Sequence, residues 1–150
     1  MPSRHVSTIV GGEDITISLS STGVPYCFGK FLSASEKFEI VPPQPVPLLE
    51  NIIAVSRGIK HAVCLNNEGK VFTFGLDKDG SLGNYGSLST NLKRAAKDKL
   101  VHDTKPYIYT PFELFDIPTI PIVQISCGSN FTFCLGENGL LYSFGNNEYG

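Results

Sequence analysis

The residues of this chain that could do chemistry are few, and their spacing argues against most reactions. The three histidines, His5, His61 and His102, have no serine or cysteine partner at a spacing typical of nucleophilic catalysis. Asp77 and Asp79 precede a glycine, as in a calcium-binding loop, but position 88 is leucine where such a loop requires glutamate. The sequence therefore predicts no catalytic residues and no metal ligands.

The four cysteines are predicted to be small, buried, unreactive thiols. None stands in a Cys-x-x-Cys pair, which is the spacing of structural zinc sites and of thioredoxin-like redox sites. The phosphate-binding patterns Gly-x-Gly-x-x-Gly and Gly-x-x-x-x-Gly-Lys do not occur either. We therefore expect no cofactor, and we predict that the chain is not an enzyme.

A group of basic residues between positions 84 and 110 is the main candidate for binding a partner. It comprises Lys93, Arg94, Lys97 and Lys99, and the apolar residues among them fall at helical spacing. The stretch predicts an inserted loop with a short basic helix. Loops on a rigid scaffold often carry binding functions. Runs of charged residues more often only face water, so the stretch is either a partner-binding element or a solvated insertion.

Apart from His5, these residues lie in or between three copies of one sequence unit, and the copies align without a gap. The copies are offset by 46 and then by 70 residues. They share three sets of glycines, a leucine and a phenylalanine: Gly12, Gly58 and Gly128; Gly23, Gly69 and Gly139; Gly29, Gly75 and Gly145; Leu19, Leu65 and Leu135; Phe28, Phe74 and Phe144. Repeats of this length predict units that stack on their neighbours, because one unit cannot bury its apolar face alone.

Each copy is predicted to form a β-hairpin. In the middle copy the larger residues His61, Val63 and Leu65 alternate with smaller ones, which gives the strand a large face and a small face. This contrast predicts sheets that stack face to face, because the large side chains of one sheet then pack against the small side chains of the next. We expect Gly69, at the end of the turn, to have a positive φ. Pro25 indicates an edge or irregular position for the return strand of the first copy.

The proline-rich stretch at residues 41–47 is predicted to be extended, because proline fixes φ and restricts the residue before it. Its Pro42-x-x-Pro45 spacing also occurs in peptides that bind aromatic-lined grooves. We favour a connecting strand between repeats over a groove-binding motif, because such short spacings are common by chance.

Residues 52–75 resemble the repeat of the regulator of chromosome condensation family. They read Ile-x-x-Val-x-x-Gly-x-x-His-x-x-x-Leu-x-x-x-x-Gly-x-Val-x-x-Phe-Gly, and residues 77–83 are similar to the Asn-x-x-Gly-x-Leu-Gly tail of that repeat. Phe74 and Phe144 stand where the family usually has tryptophan. The resemblance implies a seven-bladed β-propeller built from units of about 50 residues.

The predicted fold class is all-β, a partial β-propeller of about three repeats. We expect a divergent repeat at 6–50, a repeat at 51–117 with the basic insertion near 84–110, and an incomplete repeat at 118–150. The sequence favours the N-terminal part of a longer seven-bladed ring or a truncated product. Because open sheets expose edges and apolar faces, we expect this chain alone to be poorly stable or self-associating.

For function, the resemblance implies a regulatory protein-interaction module that acts through its loop face. The alternative is a guanine nucleotide exchange factor for a Ran-like small GTPase, and a remote alternative is the interaction domain of a larger enzyme such as a ubiquitin ligase. The expected partner is thus a protein, with a small GTPase among the candidates. A net charge of −2 gives no indication of binding to nucleic acid or membrane. The chain opens without a secretory signal, so we expect a cytoplasmic or nuclear location.

Overall fold

The computed structural model describes residues 5–32, 38–75, 79–83, 111–114 and 120–148, and its regular structure there is entirely β. Three antiparallel sheets follow one another along the chain. The first contains β1 (Val6–Gly11), β2 (Ile15–Ser20), β3 (Pro25–Leu32) and β4 (Phe38–Pro45). The second contains β5 (Ile52–Arg57), β6 (His61–Asn66), β7 (Val71–Gly75) and β8 (Phe112–Glu113). The third contains β9 (Ile122–Cys127), β10 (Phe131–Gly136) and β11 (Leu141–Gly145).

Within each sheet the strands are paired in chain order, so the all-β fold class is confirmed. The three predicted hairpins are β2–β3, β6–β7 and β10–β11. A small residue on the middle strand lies opposite an aromatic residue on the return strand, as Ala62 does opposite Phe74. No helix among the described residues is long and apolar enough to cross a membrane.

The sheets stack in chain order, with the large face of one against the small face of the next. The first interface buries Ile17, Leu19, Val55, Ala62 and Cys64 in one cluster. The second buries Val63, Leu65, Val71, Ile125 and Cys134 in another. The predicted face-to-face stacking is therefore confirmed. Contacts between β1 and β5 and between β5 and β9 show that adjacent sheets approach one another at their first strands, as propeller blades do near the axis.

The first strand of every sheet contains a β-bulge at the same repeat position. The register skips one residue in each case, and the extra residues are Ser7, Ile53 and Val123. A bulge leaves its extra residue out of the ladder and bends the strand. Accordingly Ile53 and Val123 are 58% and 51% exposed, although both are apolar and lie beside buried isoleucines.

The proline-rich stretch contributes β4, an edge strand that pairs with β3. Val41 in this strand is buried, and prolines are tolerated there because one side of an edge strand needs no ladder donor. The predicted extended strand is thus confirmed, although it belongs to the first sheet and does not merely connect two repeats. The sequence predicts an edge or irregular position for the return strand of the first copy. The edge position is wrong, because β3 lies between β2 and β4, whereas the irregular position is confirmed by a register shift between Cys27 and Gly29 in the β3–β4 ladder. Pro25 is the first residue of β3, where the ring is also tolerated.

The hairpin glycines hold the sheets close together. Gly69 has the predicted positive φ, 79°, and its carbonyl oxygen accepts a hydrogen bond of 3.0 Å from the Ile122 amide of the next sheet. A Cβ on Gly69 would lie 2.5 Å from Cβ of Pro121. Gly139 has nearly the same φ, 81°, but nothing lies within 4 Å of the place where its Cβ would be.

Gly69 and Gly139 have nearly the same φ, but only Gly69 lies against the next sheet. Substitutions at the two positions therefore separate the cost of backbone strain from the cost of overlap between sheets. We expect Gly139→Ala to lower the free energy of unfolding by about 1 kcal/mol, the cost of a left-handed alanine. Gly69→Ala should cost about 1 to 3 kcal/mol more, because its methyl group overlaps Pro121. Urea denaturation of both variants measures the difference, and equal costs would show that the second and third sheets do not pack as described.

Candidate functional site

One end of the stacked sheets carries the connection that interrupts the repeat. β7 ends at Gly75 and its antiparallel neighbour β8 begins at Phe112, so residues 76–111 leave and return at the same end of the second sheet. The turns that join the first and middle strands of all three sheets lie at that end too. We call it the insertion end. The predicted binding residues and the predicted basic helix lie outside the described residues: Lys93, Arg94, Lys97 and Lys99.

Arg57 joins the first and second sheets at the insertion end. Its guanidinium donates hydrogen bonds to the Ile15 carbonyl across the interface and to the carbonyls of Gly58 and Ile59 in its own turn. Gly12 lies against the guanidinium, where any Cβ would overlap it. Burial lowers the pKa of Arg57. The side chain thus connects two neighbouring turns through backbone oxygens.

A cleft opens beside Arg57 between the large face of the first sheet and the small face of the second. Its volume is about 280 Å³ including space open to solvent, and its walls are mainly apolar. Its titratable lining residues are Arg57, Lys60, His61 and Cys27. The arginine is already engaged by three carbonyl groups, so the cleft is best described as a gap in the packing of two sheets.

His61 is buried between the second and third sheets. Its side chain is 4% exposed, and Nε2 lies 3.0 Å from Oγ1 of Thr132. The Thr132 hydroxyl donates in turn to the Ser81 carbonyl at 3.2 Å. Because a hydroxyl has only one hydrogen, Nε2 of His61 carries the hydrogen of the first bond and donates it. His61 therefore links the large face of the second sheet to the small face of the third.

The segment 79–83 lies between the same two sheets. Ser81 and Leu82 are buried, and the Leu82 carbonyl accepts a hydrogen bond of 2.9 Å from Thr73 Oγ1. Asp79 accepts one of 3.2 Å from the Asn146 amide, so the segments that follow β7 and β11 touch. Within the described ranges, no group of three histidine, cysteine or acidic side chains could hold a metal ion.

The cysteines are free thiols. Burial raises the pKa of Cys27 and of Cys134 to about 12, and it also raises the pKa of Cys64 and Cys127. Cys27, Cys64 and Cys134 are buried as predicted, whereas Cys127 is only partly buried. A thiol with so high a pKa stays protonated at neutral pH and is a poor nucleophile.

The repeat residues occupy equivalent places in the three sheets. Gly12, Gly58 and Gly128 follow the first strand; Gly23, Gly69 and Gly139 stand in the hairpin turn; Gly29, Gly75 and Gly145 lie in the third strand opposite the start of the middle strand. Leu65 and Leu135 lie on large faces, and Phe74 and Phe144 lie on small faces. Each set of repeat residues thus holds one position in the sheet.

Arg57 and the buried hydroxyl of Thr132 are absent from the sequence predictions. One signal for Arg57 is its charge at a strand position that holds Gly11 and Cys127 in the other copies. A charged residue in a strand that stacks on both sides requires a partner. The partner is the backbone carbonyl of Ile15 on another sheet, and a backbone carbonyl cannot be recognised as a partner from the sequence.

Three stacked sheets of this kind are blades of a β-propeller, and the comparisons with known proteins agree. Residues 68–135 and residues 122–150 match two family models, each described as the regulator of chromosome condensation (RCC1) repeat. The chain belongs to this repeat family.

Relatives of the chain include much longer proteins. It is 27% identical over 72% of its length to the probable E3 ubiquitin-protein ligase HERC6 of Homo sapiens, of which it spans 9%. It is 28% identical over 97% of its length to the regulator of chromosome condensation of Mus musculus, of which it spans 36%. Its fold matches Prp20p of Saccharomyces cerevisiae with a TM-score of 0.69 and 24% identity, over 95% of this chain and 31% of that one.

The His61–Thr132 link can be tested by a nearly isosteric substitution. Thr132→Val removes the hydroxyl from its hydrogen bonds with His61, Ser81 and Cys127, and we expect the free energy of unfolding to fall by about 2 kcal/mol. Thr132→Ser keeps the hydroxyl and loses one methyl group, so it should cost less than about 1 kcal/mol. Urea denaturation compares the two, and a serine variant as unstable as the valine variant would contradict the link.

The raised pKa of Cys27 predicts a loss of stability in alkali. The unfolded thiol ionises near its ordinary pKa of 9.0, whereas the folded thiol ionises only at about 12. Its stabilising effect is therefore complete below pH 9 and is lost between pH 9 and 12, by up to about 1.4 kcal/mol per pH unit. The free energy of unfolding of wild type should fall more steeply over this range than that of Cys27→Ala. Parallel curves would show that Cys27 is not buried as described.

Proposed function

We propose that this chain is a protein-interaction module that binds another protein through its insertion end. The observation that carries the proposal is topological. The stretch that breaks the repeat leaves and returns at one end of a stack of sheets whose turns are tied together there by Arg57. A loop on such a scaffold can present side chains to a partner in a fixed place.

Charge indicates the kind of surface that the partner presents. Among the described residues at the insertion end, Glu13, Asp79 and Glu148 are exposed, and Lys60 is an exposed base. The insertion carries four further basic residues in its sequence: Lys93, Arg94, Lys97 and Lys99. Complementary charge steers association and discriminates between partners, so an acidic patch on the partner fits these four residues.

The alternative function is guanine nucleotide exchange on a Ran-like small GTPase. Two similarities favour it: the regulator of chromosome condensation of Mus musculus, and Prp20p, whose structure was described together with its binding to Gsp1p and histones. An exchange factor stabilises the nucleotide-free GTPase over the GDP-bound form, and no covalent bond changes in the protein. Such a role suits either a nuclear or a cytoplasmic location.

A more remote alternative is that the repeats serve a larger enzyme as its interaction domain. The similarity to the ubiquitin ligase HERC6, of which the chain spans 9%, supports this possibility. In that case the repeats would select or hold a protein substrate, and catalysis would belong to other domains.

The proposal predicts that reversing the four basic residues of the insertion weakens partner capture without unfolding the sheets. We expect at least a tenfold loss for the variant in which Lys93, Arg94, Lys97 and Lys99 are all glutamate, because complementary charges raise the association rate. Single reversals supply a matched pair: Lys97→Glu should weaken capture, whereas Lys70→Glu, in the turn at the opposite end, should not. Affinity capture from cell extract with quantitative mass spectrometry measures the loss.

The same experiment separates the two functions when purified Ran-like GTPase is offered with GDP or stripped of nucleotide. If the chain binds only the nucleotide-free GTPase and accelerates the release of GDP, guanine nucleotide exchange would be favoured over general protein interaction. Partners captured equally well by wild type and by the fourfold variant would contradict binding through the insertion. Thermal unfolding of each variant shows that the sheets remain intact.

A further inference from the structure

The described segments on either side of the insertion lie next to each other. Gly83 ends the segment that precedes the insertion, and Leu114 follows β8 directly after it. A Cβ on Gly83 would lie 3.0 Å from Cδ2 of Leu114, so the two segments run side by side at this point. We call residues 79–83 and 112–114 the base of the insertion. The chain therefore enters and leaves the insertion at adjacent positions.

Thr73 of β7 contacts both halves of this base. Its backbone pairs with Phe112 of β8, and its hydroxyl donates a hydrogen bond of 2.9 Å to the Leu82 carbonyl. Thr73 and Leu82 are 0% and 5% exposed. The Leu114 amide continues the pairing of β8 with β7 by donating to the Val71 carbonyl at 2.9 Å. A buried polar group is costly without its partner, so the Thr73 hydroxyl favours the closed base.

The residue at this repeat position differs among the copies as the following segment does. In the first copy β3 continues to Leu32 in its pairing with β4, and the sequence lacks the Gly-x-Leu-Gly tail. The residue equivalent to Thr73 is there Cys27, whose thiol is a weak donor. In the third copy the beginning of a tail follows β11, and the equivalent residue is Ser143. A hydroxyl thus occurs in the two copies whose third strand leads into such a segment.

We propose that Thr73 is a positioning residue for partner binding, because it keeps the base closed and so fixes the place from which the insertion starts. The inference rests on the proposed function, since the element that Thr73 holds is the one that binds. If the base opened, residues 79–83 would be released, and five residues of flexible chain span about 12 Å on average. Only molecules with a closed base would then present the insertion correctly, and the apparent affinity would fall with their population.

Two substitutions of Thr73 test whether its hydroxyl closes the base. Thr73→Val keeps the shape of the side chain and removes the hydroxyl, whereas Thr73→Ser keeps the hydroxyl. Hydrogen exchange of residues 79–83, measured on the whole chain without a partner, reports opening of the base. We expect exchange there to be roughly tenfold faster in Thr73→Val and close to wild type in Thr73→Ser. Gly69→Ala is the matched control, because it disturbs the same two sheets at the opposite end and should not open the base selectively.

Binding is then measured with one purified probe, the protein that wild type captures from cell extract and that the fourfold charge-reversed variant loses. We expect Thr73→Val to raise its dissociation constant roughly three- to tenfold, and Thr73→Ser and Gly69→Ala to leave it unchanged. In the fourfold variant, Thr73→Val should cause no further loss, because the insertion no longer contributes to binding there. A merely structural role would give additive losses.

The outcomes separate this inference from the proposed function. If Thr73→Val leaves exchange at the base or the affinity for the probe unchanged, while charge reversal still weakens capture, the role of Thr73 is overturned and binding through the insertion stands. A serine variant as impaired as the valine variant would also overturn it. If charge reversal does not weaken capture of any protein, binding through the insertion is contradicted and the role of Thr73 falls with it.

Discussion

The packing of a large face against a small face is the constraint on which the rest of this structure depends. Stacked sheets lie about 10 Å apart, so side chains from both sides must share that space without overlap or void. The chain meets this requirement with opposite patterns on the two faces of every middle strand. Val63 and Leu65 point into one interface, while Ala62 and Cys64 leave room in the other for residues of the preceding sheet. Within a sheet the same rule places Phe74 opposite Ala62.

Apolar packing of this kind does not by itself fix how one sheet slides along the next, and a few polar contacts do so. At the hairpin end the amides of Ile52 and Ile122 donate to the hairpin glycine of the preceding sheet, each at 3.0 Å. At the insertion end Arg57 and His61 connect one interface each. Buried polar groups are costly when unpaired, so these contacts favour one alignment strongly over its neighbours. The loops of the insertion end therefore start from fixed positions.

How far the sequence predicts this structure depends on whether a feature is local. The hairpins, their two faces and the positive φ of Gly69 follow from alternation with a period of two and from equivalence among the copies. The bulges escape such reasoning because Ile53 and Val123 look like core residues, although the adjacent Ile52 and Ile122 break the alternation. β8 has only two residues, and a long insertion separates it in sequence from its partner β7. No local sequence pattern therefore predicts this strand. At the candidate site, Arg57 binds a carbonyl of another sheet, which only the folded arrangement brings near.

The same constraint indicates where specificity can reside. Residues at repeat positions are committed to packing, since a change in size at one of them must be matched on the adjoining sheet. They therefore cannot vary freely to suit a partner. If the chain is the interaction module proposed above, its recognition residues would lie in stretches outside the repeat, because a fold does not determine a function. In this chain the longest such stretch is the insertion at residues 84–110, within the connection between β7 and β8, and those two strands fix the end of the sheet from which the connection leaves.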